Sequence, residues 1–238
     1  MMENEKLKTP HIGIDIETLS LRPTACIIAI SAKTFFFDGT VDEKYSFDCC
    51  VDATSCAMYG LTIEQNTVNW WASQSREAKS YFLKTEAIKL QDALIRLAQL
   101  YHDVQQAYNC QRVLVWTQGT DFDIAVLRNA YRQVFGGNAY FWPDENCEIC
   151  ISDAPWPHDC VRDARTFILS NLNFLHLHGF FRGFDPAYNP DRPYDIIPKR
   201  PGWVKHQAGS DVDQMVWNLK SVTDFMLEAF SPTFATKQ

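Results

Sequence analysis

The sequence predicts an α/β fold in which a mixed central sheet is flanked by helices. Residues 1–51 contain three strand-like runs with short connections, and most of the later chain shows a helical period. No internal repeat or break in composition divides the chain. We therefore expect one domain over residues 11–230, between tails of residues 1–10 and 231–238.

Strands are expected early in the chain and once near its middle. Residues 11–17 (HIGIDIE) place an isoleucine at every second position, which is the period of a strand, and residues 25–37 and 44–51 are rich in β-prone side chains. Short connections predict that these three strands are antiparallel. The apolar run 111–117 predicts a buried fourth strand.

Helices are expected where apolar residues recur at helical spacing. Glycines at 136, 137 and 179 mark the ends of two of them. The predicted helices cover a segment around residues 70–71 and residues 90–104, 121–135, 163–178 and 206–230. Residues 182–203 contain five prolines and no periodicity, which is typical of a functional lid or of a simple surface excursion.

Charge and composition exclude several classes of protein. The chain has 22 basic and 29 acidic side chains, a net charge of −7 and a pI near 5.3, which argues against a broad basic face that holds duplex DNA. An acidic protein can still process nucleic acid if its carboxylates bind divalent cations. The sequence contains no apolar run of membrane-spanning length, no secretory signal and no lipid anchor, so the cytoplasm is the expected compartment.

Two carboxylates end the first strand. Asp15 and Glu17 lie two residues apart, so both side chains point to the same face of the strand. Such a pair after an apolar strand is electrostatically unfavourable unless a cation lies between the two groups. A strand that simply runs into solvent is the alternative explanation.

Further acidic groups and a histidine begin two predicted helices. Asp123 follows the strand 111–117, although either it or Asp121 would suit a helix N-terminus. His206 and Asp211 open the last helix, where a lone histidine is also common as a surface residue.

The order of these residues resembles that of the DEDDh 3′–5′ exonucleases. D-x-E at 15–17, F-D at 122–123 and H-x-A-x-x-D at 206–211 follow the family pattern. Three further stretches are similar to phage-type exonucleases of the exonuclease A kind and to related bacterial exoribonuclease domains. These stretches are T-V-N-W-W-A-S-Q-S-R-E-A from Thr67, W-T-Q-G-T-D-F-D-I-A-V-L-R-N-A-Y from Trp116 and C-V-R-D-A-R-T from Cys160.

The resemblance implies an RNase H-like fold whose first three strands are antiparallel, and a reaction with two Mg²⁺ or Mn²⁺ ions. It implies that Asp15 contacts both ions, that Glu17 and Asp211 hold one, that Asp123 reaches the other, and that His206 is the general base. Hard oxygen ligands independently favour these metals. The implied substrate is single-stranded DNA or RNA with a free 3′ end, with DNA slightly favoured by the phage-type motifs, which also suggest a phage or prophage source.

Candidate substrate contacts lie close to these motifs. Thr18 and Leu19 follow the D-x-E, and the resemblance places such residues against the terminal nucleotide. Aromatic residues stack on bases in single-strand binding, which makes Trp70 and Trp71 candidates, although at least one of two adjacent tryptophans usually belongs to the core. Phe122 and Arg165 complete the set, and Arg165 would contact phosphate or pair with Asp163 on the surface.

Three questions stay open at the level of sequence. A catalytically silent nucleic-acid-binding or regulatory module with the same fold is the second functional hypothesis. The chain could be a monomer or a homodimer. The eight cysteines suggest reduced thiols, and Cys147, Cys150, His158 and Cys160 offer four zinc ligands at a spacing that matches no standard finger.

Overall fold

The computed structural model describes residues 9–136, 154–180, 189 and 191–231. Its strands are β1 (His11–Thr18), β2 (Ile27–Phe35), β3 (Val41–Val51), β4 (Ala87–Ile88), β5 (Leu114–Thr117) and β6 (Val161–Asp163). Its helices are α1 (Ala53–Met58), α2 (Gln65–Ser73), α3 (Arg76–Lys84), α4 (Leu90–Ala107), α5 (Asp123–Phe135), α6 (Ala164–Leu177) and α7 (Ala208–Ala229). Two 3₁₀ turns cover His158–Cys160 and Pro193–Ile196.

The six strands form one mixed sheet in the order β4-β3-β2-β1-β5-β6. Strands β1, β2 and β3 pair antiparallel, whereas β5 is parallel to β1, β6 to β5 and β4 to β3. The predicted fold class is therefore confirmed: a mixed α/β sheet whose first three strands are antiparallel. Among the described helices, none has the length and apolar character needed to cross a bilayer.

Strand β1 lies between β2 and β5 and separates two hydrophobic layers. The isoleucines at positions 12, 14 and 16 pack with α4 and α5 on one face of the sheet. Helices α6 and α7 cover the other face, where the core includes Phe35, Trp116 and Met215. A Cβ atom on Gly13 would lie 2.8 Å from the Met215 side chain, so glycine at this position lets α7 pack directly against β1.

The predicted elements are present with small changes in their bounds. The strand predicted at 111–117 is confined to Leu114–Thr117, and α5 ends at Gly136, whose φ of 71° is the left-handed conformation that favours glycine. Four short elements were not predicted from the sequence: α1, α3, β4 and β6. The last helix begins at Ala208 rather than His206, because His206 has a φ of 64° and cannot continue a right-handed helix.

Candidate active site

The carboxyl end of β1 carries Asp15 and Glu17 on the face that α7 covers. Asp15 is half-buried, and Glu17 is only 9% exposed. The pairing of β1 with β2 shifts register between Glu17 and Thr18, an irregularity that re-aims side chains at the end of a strand. Solvent exposure of the strand end therefore does not explain this acidic pair.

Asp123 brings a third carboxylate to the same place. It is the first residue of α5 and is 6% exposed, whereas Asp121 is exposed on the preceding loop. The negative charge of Asp123 acts on both Asp15 and Glu17 by raising their pKa values. The structure thus places Asp123, and not Asp121, in the acidic cluster.

The first turn of α7 brings a fourth carboxylate, Asp211, to the cluster. Asp211 lies in the first turn of α7, and one of its carboxylate oxygens accepts a 2.8 Å hydrogen bond from the backbone N–H of His206. One ligand atom each of Glu17, His206 and Asp211 lie within 4.8 Å of one another. The five residues of the D-E-D-D-H pattern are therefore gathered around the end of β1.

Burial is the first cause of a raised pKa at each of the four carboxylates. The pKa of Asp15 lies well above its usual range because the group is buried and surrounded by the charges of Asp123, Glu17 and Asp211. Burial and the charges of Asp211 and Asp123 raise the pKa of Glu17 to about 8. Burial raises the pKa of Asp123 to about 7 against backbone hydrogen bonds that lower it, and burial also raises the pKa of Asp211.

This donor set fits hard divalent cations. Four carboxylates in one buried cluster repel one another, and a cation between them relieves the repulsion that raises their pKa values. Oxygen ligands of this kind are preferred by Mg²⁺ and Mn²⁺. The residues present thus match the divalent-metal chemistry that the family pattern implies.

His206 is held among aromatic rings at the edge of the cluster. Its imidazole makes an edge-to-face contact with Trp70 at 4.8 Å between ring centroids and a longer one with Trp71 at 6.3 Å. Partial burial and the neighbouring Lys205 lower the pKa of His206, while Asp211 raises it. A lowered pKa keeps the imidazole neutral at pH 7, the form that can accept a proton.

A cavity of about 650 Å³ opens beside the carboxylates. Asp15, His206 and Asp211 line it together with three cationic side chains: Arg165, Lys199 and Lys205. Arg165 is close enough to Asp123 to lower the pKa of that carboxyl. A space lined by both carboxylates and exposed cationic side chains suits a phosphodiester. The phosphate can contact metal ions held by the carboxylates or the cationic side chains themselves.

The other predicted substrate contacts are not among the described residues that line the cavity. Thr18 is buried, its hydroxyl donates to the Ser20 carbonyl at 2.7 Å, and its own carbonyl accepts from the Trp71 indole N–H at 2.9 Å. Trp71 is 8% exposed and belongs to the core, whereas Trp70 is 42% exposed.

Leu19 and Phe122 are half-buried and pack on the hydrophobic cluster beneath the site. Arg165, at the start of α6, is the predicted contact residue that lines the cavity directly.

Several cavity residues were not predicted from the sequence. Lys199, Trp203 and Lys205 come from the proline-rich loop and its continuation, and Tyr194 comes from the 3₁₀ turn within it. An aromatic and two basic residues in an otherwise aperiodic segment were the available signal. The carboxylate of Asp163 caps α6 by accepting from the backbone N–H of Thr166, and it also accepts from the backbone N–H of Thr120.

The zinc hypothesis involves residues outside the described part of the chain. Cys147 and Cys150 are not among the described residues. His158 and Cys160 belong to the 3₁₀ turn before β6, and Cys160 is buried with a pKa that burial raises. The zinc hypothesis stays a prediction.

A family model described as the 3′-5′ exoribonuclease Rv2179c-like domain matches residues 10–179, which is more than half of the chain. The chain therefore belongs to the Rv2179c-like 3′–5′ exoribonuclease domain family. A search of curated proteins found no match.

Solved structures of several nucleases are similar to this chain. Cell-death related nuclease 4 has a TM-score of 0.47 at 10% identity, with 91% of this chain and 64% of that chain covered. Pop2p of S. pombe, in its Mg²⁺ and Mn²⁺ bound form, has a TM-score of 0.46 at 12% identity, with coverages of 93% and 84%.

Exonuclease I of E. coli, in complex with a 5cy-dT13 oligonucleotide, has a TM-score of 0.44 at 13% identity, with coverages of 96% and 43%. This chain thus spans less than two thirds of the nuclease 4 and exonuclease I chains.

Proposed function

We propose that this protein is a DEDDh-type exonuclease that uses two Mg²⁺ or Mn²⁺ ions to remove nucleoside 5′-monophosphates from the 3′ end of single-stranded nucleic acid. The observation that carries the proposal is the convergence of Asp15, Glu17, Asp123 and Asp211 with His206 at the end of β1. Five residues of the right chemistry, from three separate parts of the chain, meet where an open cavity reaches them.

Each carboxylate has a proposed role toward the metal ions. Asp15 would contact both ions, Glu17 and Asp211 would hold one of them, and Asp123 would reach the other. When bound, the ions would acidify the attacking water and stabilise the negative charge on the leaving 3′ oxygen. The protein's part is to keep four mutually repelling carboxylates in one place, which it does by burying them between β1, α5 and α7.

His206 is the proposed general base. Hydrolysis joins a water oxygen to phosphorus, breaks the bond to the 3′ oxygen and transfers a proton from the water to the leaving group. The neutral imidazole of His206 would accept that proton first, because burial and Lys205 lower its pKa. Its contact with Trp70 limits the orientations of the ring.

The terminal nucleotide would lie in the cavity beside the carboxylates. Arg165 would contact phosphate, while Thr18, Leu19 and Phe122 would shape the pocket for the last nucleotide, as the family resemblance implies. Trp70 is exposed enough to stack on a base, and Trp71 supports the Thr18 carbonyl from the core.

Two observations favour different substrates, one RNA and the other single-stranded DNA. The family description names exoribonucleases and favours RNA, whereas the resemblance to phage-type exonuclease A favours single-stranded DNA and a phage source. We expect hydrolysis of single strands with a free 3′ end, and the relative rates on the two sugars measure the preference. A group that binds or excludes the 2′-hydroxyl would set those rates.

The proposed catalytic unit extends beyond the family match. Residues 10–179 include three of the four carboxylates, but His206 and Asp211 lie on the following segment and α7. Since α7 packs across β1 and β2 with a shared hydrophobic core, we propose one domain over residues 11–230 that acts as a monomer or homodimer.

The test is incubation of the purified chain with 5′-labelled single-stranded RNA and DNA of one sequence, in Mg²⁺, Mn²⁺ or EDTA. We expect a ladder that shortens from the 3′ end in metal only and that Asp15→Asn abolishes. The exposed neighbour Asp121→Asn is the matched control and should keep activity. Intact strands with metal-replete protein would contradict the proposal and favour the silent binding module.

A further inference from the structure

The segment before α7 is fastened to the first turn of that helix by three hydrogen bonds. The Trp203 indole N–H donates to Asp211 Oδ1 at 2.7 Å, and the backbone N–H of His206 donates to Asp211 Oδ2 at 2.8 Å. The backbone N–H of Val204 donates to the Ser210 hydroxyl at 2.8 Å. Both oxygens of Asp211 therefore accept a hydrogen bond from residues 203–206.

We propose that Trp203 is a positioning residue that orients the Asp211 carboxylate for metal binding. This inference rests on the proposed function. Within the described residues, Trp203 is the side chain that donates a hydrogen bond to Asp211. An indole N–H can only donate, so it pairs with the charged carboxylate and leaves that oxygen a second lone pair for a cation.

Trp203 also lines two open spaces. Trp203 lines the cavity of about 650 Å³ that holds Asp15 and Asp211, and it lines a second space of about 470 Å³ beside Ser75 and Glu77. The Lys199 ammonium lies 5.5 Å from its ring centroid. Trp203 thus belongs to the wall of both spaces, and its hydrogen bond to Asp211 links this wall to the acidic cluster.

The hydrogen bond from Trp203 matters for metal binding because its acceptor, Asp211, is a carboxylate of the acidic cluster. The carboxylate is half-buried and one of its oxygens lies within 4.8 Å of a ligand atom of Glu17, so it needs hydrogen-bond donors in place of water. Trp203 and His206 supply these donors and fix the rotation of the carboxylate. Loss of such a second partner typically lowers metal affinity or activity by about 10- to 100-fold.

Trp217 offers a matched control on α7. Its indole N–H also donates one hydrogen bond, to the Pro198 carbonyl at 2.8 Å, and ties the same loop to the helix. It differs in that its acceptor is a backbone carbonyl rather than a carboxylate of the cluster. Trp203→Phe and Trp217→Phe each remove one indole N–H that ties the loop to α7, but only the first removes a donor to Asp211.

The experiment measures Mn²⁺ binding to the full, metal-free chain by the EPR signal of free Mn²⁺, together with the Mg²⁺ concentration that gives half-maximal hydrolysis. We expect Trp203→Phe to weaken Mn²⁺ binding by about 10- to 100-fold and to raise the half-maximal Mg²⁺ concentration by a similar factor. Trp217→Phe should leave both at the wild-type values. Equal effects of the two variants would overturn the inference.

A second measurement uses the wild-type chain and does not depend on the folding of a variant. In a ¹⁵N-labelled sample, the Trp203 indole N–H resonance should shift saturably with added Mg²⁺ while the Trp217 indole resonance stays in place. An unchanged Trp203 resonance at saturating Mg²⁺ would contradict the positioning role. Wild-type protein that neither binds Mn²⁺ nor hydrolyses single strands would instead overturn the proposed function itself.

Discussion

The two halves of the candidate active site are held in place by different means. Asp15, Glu17 and Asp123 are fixed by the central strand β1 and by the first turn of α5, with a buried hydrophobic layer beneath them. His206 lies outside any helix in a left-handed conformation, and side-chain and backbone hydrogen bonds to Asp211 hold its segment.

We call Asp15, Glu17 and Asp123 the sheet half of the site, and His206 with its segment the loop half. Because the two halves are held differently, substitutions in them are expected to have different effects on stability and on chemistry. The sheet half depends on many apolar contacts, so its geometry survives the loss of single polar groups. The loop half depends on a few hydrogen bonds around one carboxylate, so single substitutions there can change metal binding or the position of the base without unfolding the domain. Four substitutions or conditions test this difference between the two halves.

The largest expected effect is on the sheet half. Asp15→Asn removes the carboxylate that the other three surround, and we expect hydrolysis to fall by roughly 10³-fold or more. The same change should raise the melting temperature in EDTA, because it removes a buried charge that its neighbours destabilise. Thermal unfolding in EDTA and in Mg²⁺ measures both effects, and a variant less stable than wild type in EDTA would contradict the electrostatic argument.

The next effect tests the loop half. His206→Ala should lower kcat by about 10²-fold or more, since it removes the proposed general base. The four carboxylates stay in place, so stabilisation of the variant by Mg²⁺ should persist. His206→Asn is a useful comparison because asparagine tolerates the left-handed backbone at this position. If both variants keep the wild-type kcat, another group accepts the proton.

A core substitution separates stability from chemistry. Ile14 is fully buried on the opposite face of β1 from Asp15, and Ile14→Ala should lower the free energy of unfolding by about 2 to 5 kcal/mol. Urea unfolding measures this loss. The folded fraction should keep the wild-type half-maximal Mg²⁺ concentration, and a changed value would show that the core packing also sets the metal site.

The smallest effect is a pH dependence of the stabilisation by metal. Burial and the charges of Asp211 and Asp123 raise the pKa of Glu17 from 4.5 to about 8, so between these values the metal-free folded protein binds more protons than the unfolded chain. Its stability must then fall as pH rises through this window.

A divalent ion takes the place of those protons. The increase in melting temperature caused by Mg²⁺ should therefore be larger at about pH 8 than at about pH 5.5. Melting curves across this range with Mg²⁺ or EDTA provide the measurement. An increase that is independent of pH would mean that the carboxylates are already ionised in the metal-free protein.

The parts of the fold with a strong local pattern could be predicted from sequence. The alternating isoleucines of β1 and the apolar stripe of α4 match the structure, because in each element these residues form a face that is buried along its whole length. Strands β4 and β6, with two and three residues, are too short to show a period and exist through pairing with β3 and β5.

The candidate site also contains residues that could be predicted from the sequence and residues that could not. The five D-E-D-D-H residues were predicted from their order along the chain, and the structure gathers them at one place. Trp203 could not be predicted, because its importance depends on a hydrogen bond between an aperiodic loop and a helix. The choice of Asp123 over Asp121 could be predicted from the F-D motif, and in the structure Asp123 is buried at the start of α5 whereas Asp121 is exposed.

We propose that the four carboxylates hold divalent cations where the 3′ end of a nucleic acid can reach them. The most direct test is anomalous diffraction at the manganese edge from crystals soaked with Mn²⁺ and a nucleoside 5′-monophosphate. We expect two peaks that both contact Asp15, with the nucleotide phosphate beside them and its base in the cavity lined by Arg165 and Trp203. Manganese bound elsewhere, or no peak at the end of β1, would contradict the account.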